Sequence, residues 1–414
     1  MTMRRVVVTG IGALTPIGNN ASAYCQGLKE GLSGAGEITH FDASDFRTRF
    51  ACEVKDLDLS EYMDRKSSKR LDRFSQLALI AASEAVDDAG LQSAALDLSK
   101  VGVIWGSGIG GLRSLEVEIE YNKDNRNPRY NPFMIPKMIA DIAAGHISMK
   151  YGYRGSNYAT VSACASATHA IISATDNIRL GRDDVIVAGG AEAAILRAGI
   201  GGFGSMKALS ERNDDPATAS RPFDKDRDGF VLGEGAGALI LEELEHAKAR
   251  GAKIYAEMAG GGQTADAHHI TAPHPEGLGA SEVMLRAFAD AKLTPQDIDY
   301  INVHGTSTPL GDVAELKAIE TVFGEDAFRV HISSTKSMTG HLLGAAGAIE
   351  TIAAIFALRD NFIPPTINHF TPDPAIDDRF NLTLNQAVEA KVDVVLSNTF
   401  GFGGHNACVI FKKV

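Results

Sequence analysis

β-Branched apolar runs recur along the chain, and each ends in glycine or another small residue. They are RVVVTGIG at 5–12, KVGVIWGSG at 100–108, DDVIVAGG at 183–190, YINVHGTS at 300–307, VHISSTKS at 330–337 and VDVVLSNTFGFGG at 392–404. The apolar positions run on rather than alternate, the pattern of strands covered on both faces. Segments of helical periodicity lie between them. RFSQLALIAASEAVDDAG at 73–90 is the clearest, and Gly90 is its expected C-cap. Such alternation predicts an α/β protein in which helix layers cover sheets.

Two expected helices look alike. CASATHAIISATDNIRLG starts at Cys164 and HLLGAAGAIETIAAIFALRD starts at His341. Each follows a strand-like run, opens on a reactive side chain and has a small-residue first half. Each is later followed by a strand ending in glycines. The pair suggests an internal duplication with a boundary near 255–260, giving halves 1–258 and 259–414. Two ordinary buried helices would leave the same local pattern.

Composition narrows the function classes. The 414 residues are 44% hydrophobic and 22% charged, enough for a large core. A net charge of −12 argues against general nucleic-acid binding. Cys25, Cys52, Cys164 and Cys408 are scattered, with no CxxC spacing. That excludes a disulfide framework and a zinc knuckle and fits a reducing cytoplasm. The apolar run after MTMRR is too short for a signal peptide, and no run reaches the ~18 residues of a membrane span.

Three motifs resemble binding sites they do not fit. GSGIGG, Gly106–Gly111, matches GxGxxG, but the next segment reads as helix, so a turn or pocket wall is expected instead of a dinucleotide site. DKDRDGFVLGEG at 224–235 imitates a calcium loop through Asp224, Asp226, Asp228 and Gly229. Its last position is Gly235, with Glu234 one residue short, so no metal is expected. TADAHHITAPHPEG holds His268, His269 and His274 among glycine and proline, and reads as a loop near a functional opening. DRKSSKRLDRF is locally basic: Lys66, Lys69, Arg70 and Arg73 would share one helix face. That face is either ordinary charged surface or a dock for an acidic partner.

The candidate chemistry centres on Cys164. At a helix N-terminus it would meet unpaired amides and the positive dipole end, both favouring thiolate. Ala163, Ala165 and Ser166 leave room for a substrate. Alone, these facts fit a buried inert thiol as well as a nucleophile. Two histidines tip the balance: His304 ends an apolar strand, and His341 opens a helix whose dipole would keep it neutral. Neutral imidazole can donate to a carbonyl oxygen that gains negative charge. Lys336, in an apolar stretch, needs a partner, and Glu350 is the candidate. FGFGG at 400–404 follows a strand, can swing, and offers Phe402 as a door.

Together SACASATHA, VHGTSTPLGD, SSTKSMTGHLLGAAGAIE and SNTFGFGGHN resemble the signatures of β-ketoacyl-acyl-carrier-protein synthases, most closely the elongating synthase II type. SRPFDKDRDGFVLGEGAG is similar to a further family stretch. The resemblance spans essentially the whole chain. It implies the thiolase-like α/β fold, duplicated and five-layered αβαβα, in a homodimer. It implies that Cys164 is acylated, that His304 and His341 polarise the malonyl thioester, and that Lys336 supports them. The amides of Cys164 and Phe402 would form the oxyanion hole. Thr306 and Thr308 would contact the phosphopantetheine arm that the substrate itself brings, with no other cofactor. Asp266 and Thr271 would lie in a second mobile loop. Ile109, Phe203 and Phe400 would line the acyl site, with Phe133 reaching in from the partner subunit and Asp312 in support. Lys66, Lys69, Arg70, Arg129 and Lys207 would dock an acidic acyl carrier protein. His405 and Ser156 depart from the family's usual threonine and proline.

The resemblance implies decarboxylating Claisen condensation in fatty-acid elongation. A ketosynthase of a polyketide or aryl-polyene pathway shares the motifs. A degradative thiolase would need a second catalytic cysteine, and Cys408 sits in a strand-like run. A non-catalytic chain-length partner subunit would lack Cys164.

Overall fold

The computed structural model describes residues 3–414. All six apolar runs form strands of one ten-stranded sheet. Its strands are β1 (Val6–Leu14), β2 (Val101–Gly106), β3 (Asn157–Thr160), β4 (Val185–Glu192), β5 (Gly235–Glu243), β6 (Ala256–Ala265), β7 (Tyr300–Asn302), β8 (His331–Ser333), β9 (Val394–Gly401) and β10 (His405–Lys412). The spatial order is β3-β2-β4-β5-β1, then β6-β10-β9-β7-β8. The second five repeat the first in order and sense. In each, the two outermost pairings are parallel and the strand returning beside the first is antiparallel to its neighbours. The two sets touch at Val7–Glu257 and Val8–Ala256 alone among the paired residues. A division at 258/259 would cut β6, whereas the loop before Ala256 divides the sets without cutting a strand.

The runs are continuous because both faces of each set are covered. In β4, Val185 and Val187 face one core while Ile186 and Ala188 face another. Helix α1 (Arg73–Asp88) covers the outer face of the first set, packing on β1, β5 and β4. Asp72 caps it, accepting from the Phe74 amide, and Gly90 follows its end at φ 64°. Helices α2 (Ser166–Arg179) and α5 (Ala346–Asp360) fill the space between the sets. Helices α3 (Leu278–Ala291) and α4 (Gly311–Phe323) cover the outer face of the second. This is the thiolase-like αβαβα stack. From Ala346 to Leu358 every residue of α5 is buried, which small side chains permit. A Cβ on Gly347 would lie 2.0 Å from Thr168 Oγ1, so the two central helices meet at backbone distance. No helix among the described residues is long and apolar enough to cross a membrane.

Three local expectations change. Cys164 does not open α2, which starts at Ser166 after Ala165 as N-cap. His341 does not open α5: it pairs with Leu232 across an isolated bridge, and a short turn, Leu343–Ala345, precedes the helix. The basic stretch is not one helix either. Residues 65–68 form a single turn capped by Asp64, and Arg73 starts α1. Arg73 points inward, donating to Glu234 at 2.7 and 2.6 Å, so it belongs to the core rather than to a surface dock.

Candidate active site

The strands deliver the site residues to one end of the stack, where open α/β sheets place their ligands. Past β2 lie Gly108 and Ile109; past β7, His304; past β9, Phe402. All line one cavity of about 710 Å³, together with Cys164, Phe203, Asp266, Thr271, Thr306, Thr308, His341 and Phe400.

Between β3 and α2 the chain makes a tight elbow that presents Cys164. Ala163 sits at φ 49°, a conformation L-residues occupy at a cost and which clusters at functional sites. The Ser166 hydroxyl donates to the Ala163 carbonyl at 2.6 Å and accepts from the Ser162 amide at 2.9 Å, fixing the turn. Cys164 is 7% exposed, and its sulfur lies 3.0 Å from His341 Nε2. Burial pushes the thiol up to about 12, against Lys336 and the Phe402 amide, which hydrogen-bonds the sulfur. The resting group is therefore a neutral thiol in hydrogen-bond contact with His341 Nε2. The thiolate expected from a helix terminus does not form, because Cys164 precedes the helix and desolvation outweighs the nearby positive charge.

His304 and His341 face each other edge to face, ring centres 5.3 Å apart. Burial first, then Lys336, holds both well below the ordinary histidine value. Both are neutral, and for His341 burial and a cation achieve this where a helix dipole was anticipated. Lys336 pairs with Glu350, as expected, and each side chain is 1% exposed. His304 is aimed by Glu315 on α4, whose carboxyl accepts the His304 and Gly305 amides at 2.9 and 2.8 Å. Burial pushes Glu315 up to about 7. Thr306 and Thr308 face each other at 3.1 Å on the cavity wall. Behind them Asp312 accepts the Ser307 and Phe223 amides and lies 3.4 Å from Arg227, with burial raising it to about 6.

The glycine loop turns at Gly403 and Gly404, φ 87° and 74°. Phe402 stands 6.5 Å from Phe203, which packs on Phe230, and Phe400 stands 5.7 Å from His304. The second loop is laced to it. Asp266 accepts from Asn406 at 2.7 Å, its amide donates to Gly404, and Gly403 donates to Ile270. Thr271 is exposed in that loop.

Some expected residues lie elsewhere. Phe133 is on the surface, outside this chain's cavity, beneath the Arg70 guanidinium at 5.1 Å. Lys66, Lys69, Arg129 and Lys207 are exposed, and of these Lys207 reaches the cavity mouth. Two carboxylates of the false calcium loop are spent internally: Asp224 accepts from the Asp226, Phe370 and Thr371 amides, and Asp228 from the Ser210 hydroxyl and the Glu211 amide. No cluster of metal-ligating residues occurs among the described residues. Within GSGIGG the amides of Gly108, Ile109 and Gly110 do hold a carboxylate, but it is the side chain of Glu192. Glu192 and Glu315 were missed by sequence reasoning. The signal was present in each: a carboxylate closing an apolar strand, and another on the apolar face of α4.

Family models for the N-terminal and C-terminal domains of beta-ketoacyl synthases match residues 3–247 and 255–370. This chain belongs to the β-ketoacyl synthase family. A 3-oxoacyl-[acyl-carrier-protein] synthase 2 of Synechocystis sp. is 52% identical, over 99% of this chain and 98% of its own. Its counterpart from Vibrio harveyi is 47% identical over the full length of both. A solved complex of a type II polyketide acyl-carrier protein with its ketosynthase, bound to the hexaketide, superposes with a TM-score of 0.91. It is 34% identical and covers all of both chains. Family membership makes this protein an acyltransferase, and Cys164 is the cysteine at the centre of its site.

Proposed function

We propose that this synthase elongates fatty acids by condensing an acyl thioester with malonyl-acyl-carrier protein. The observation that carries this is the Cys164–His341 contact at 3.0 Å with His304 beside it, at the foot of an apolar-walled cavity. In acyl transfer, the Cys164 sulfur attacks the acyl carbonyl while His341 takes the thiol proton. The carrier thiolate leaves and takes that proton from His341, which returns to its neutral form. Malonyl-carrier then binds, its arm along Thr306 and Thr308. The bond to its carboxylate breaks, carbon dioxide leaves, and the electron pair moves into the thioester as an enolate. His304 and His341, both neutral, donate to the enolate oxygen. The enolate carbon attacks the acyl carbonyl, a carbon–carbon bond forms, the bond to Cys164 breaks, and the Cys164 thiolate takes up a proton from solvent to return to the resting thiol. The Cys164 and Phe402 amides hold the oxyanion in both acyl steps. The phosphopantetheine arm arrives with the substrate, so the steps balance without a further cofactor.

A homodimer completes the site in this reading. Strand β3 is one edge of the sheet, with Tyr158 on it and Val161 just past it exposed, and Phe133 and Ile135 are exposed as well. That surface supports a second copy pairing there, with Phe133 entering the neighbouring cavity. Lys66, Lys69, Arg70, Arg129 and Lys207 dock an acidic carrier. The four free cysteines suit a reducing cytoplasm. A polyketide role is the second reading, favoured by the likeness to the hexaketide complex. The higher identity to the two 3-oxoacyl-[acyl-carrier-protein] synthases outweighs it.

The test separates the half-reactions. Cys164→Gln should abolish condensation and keep carbon dioxide release from labelled malonyl-carrier, since decarboxylation needs only the two histidine donors. His304→Ala and His341→Ala should each lower that release by about 10²–10³. A folded Cys164→Gln protein that released no carbon dioxide, or histidine variants that released it normally, would overturn the assignment.

A further inference from the structure

We propose that Glu192 is a positioning residue that sets which acyl chains this synthase accepts, by holding the acyl wall of the cavity from behind. The inference rests on the reading that Cys164 is acylated.

Glu192 closes β4, is fully buried, and is absent from the cavity surface. Its carboxylate accepts five hydrogen bonds. Oε1 takes the Ser107 hydroxyl at 3.0 Å and the Ile109 and Gly110 amides at 3.2 Å each. Oε2 takes the Gly108 amide at 2.7 Å and the Gly344 amide at 3.1 Å. No lysine or arginine pairs with it among the described residues. A carboxylate offers about four lone-pair sites, so this one is saturated by donors. A single side chain thereby ties two loops together.

Those loops come from opposite halves of the chain, and each sends one apolar side chain into the cavity: Ile109 from the first and Leu343 from the second. Leu343 is held at φ 47°, and the amide that follows it is the Gly344 donor. Both loops need glycine for the contact. A Cβ on Gly108 would lie 2.9 Å from Glu192 Oε2, and one on Gly344 would lie 2.6 Å from it. Gly108 also abuts the Ala163 carbonyl, beside Cys164. Glu192 thus fixes Ile109 and Leu343 relative to the nucleophile. It touches neither Thr306, Thr308 nor His304, which serve the malonyl thioester.

Glu192→Gln keeps the shape but turns one oxygen into a donor that must face amide or hydroxyl donors. Ser107→Ala removes one of the five bonds and is the milder change. Both variants are assayed as full-length protein for single-turnover acylation of Cys164 by hexanoyl- and tetradecanoyl-carrier, and for malonyl-carrier decarboxylation. The expected result is a change of at least tenfold in the hexanoyl-to-tetradecanoyl ratio of acylation for Glu192→Gln, with a smaller change of the same sign for Ser107→Ala. Glu192→Asp, which keeps the charge, should restore part of the ratio. Equal loss of acylation with both chains and of decarboxylation would mark a merely structural residue and overturn the proposal. So would an unchanged ratio in the folded variants. If Glu192→Gln does not fold, Ser107→Ala alone decides. Failure of the wild-type protein to acylate Cys164 at all would instead overturn the condensing-enzyme reading.

Discussion

Lys336→Met separates two roles that the structure gives one ammonium group. Lys336 and Glu350 form an ion pair whose members are each 1% exposed, so removing the lysine strands a carboxyl in the core between the two strand sets. Breaking a buried pair by deleting one partner costs ~3–5 kcal/mol, a large part of a typical folding free energy of ~5–15 kcal/mol. Burial already raises Glu350, and Lys336 opposes the rise. Without Lys336 the folded carboxyl holds its proton to higher pH than the unfolded one. The deficit should therefore be largest at alkaline pH and shrink as pH falls through the raised value. Adding Glu350→Leu removes the stranded carboxyl and should recover most of the stability. Catalysis should not recover with it. Lys336 opposes the burial-driven rise of the Cys164 thiol and helps keep both histidines neutral. Removing Glu350 takes away a smaller push in the opposite direction, so the thiol should still rise in the double variant and its acylation should stay slower than the wild-type rate. Urea unfolding at two pH values measures the first effect, and quenched-flow acylation with labelled acyl-carrier measures the second. A double variant that acylated at the wild-type rate would reduce Lys336 to a structural clamp. A single variant with an unchanged urea midpoint would refute the buried-pair reasoning.

Because both histidines titrate well below the ordinary value, decarboxylation by Cys164→Gln should show no acid limb near pH ~6.5, where a normal histidine would give one. The raised thiol has the opposite sign: alkylation of wild-type Cys164 by iodoacetamide should still be climbing at pH ~9.5, past the ordinary thiol midpoint of ~8.5. A profile that levels at the ordinary value contradicts the burial argument. Lys66→Glu with Lys69→Glu should raise the apparent KM for carrier-linked substrates, most strongly at low salt, and unchanged low-salt kinetics would remove both from the docking surface.

Much of the molecule was written locally. The apolar runs gave all six strands named from them, because a strand covered on both faces needs apolar side chains in succession and ends where the chain must turn. Cys164, His304, His341, Lys336 and its partner Glu350 were legible because a polar or charged side chain inside an apolar or small-residue stretch is costly to bury without a partner or a task. Strands β3 and β6 were less legible. One is the exposed edge and the other is rich in glycine, so neither carries an apolar run. Protonation states were not legible at all. The sequence places Cys164 and His341 near helix starts, and local reasoning assigns them dipole effects. Tertiary structure sets Cys164 two residues and His341 five residues short of the helix that follows and buries both, and desolvation then fixes a thiol beside a neutral imidazole. The same holds for Arg73 and Glu192. Periodicity can put a basic residue on a helix face or a carboxylate at a strand end. Whether that charge meets solvent, a buried counterion or five backbone and hydroxyl donors depends on segments up to 161 residues away in the chain.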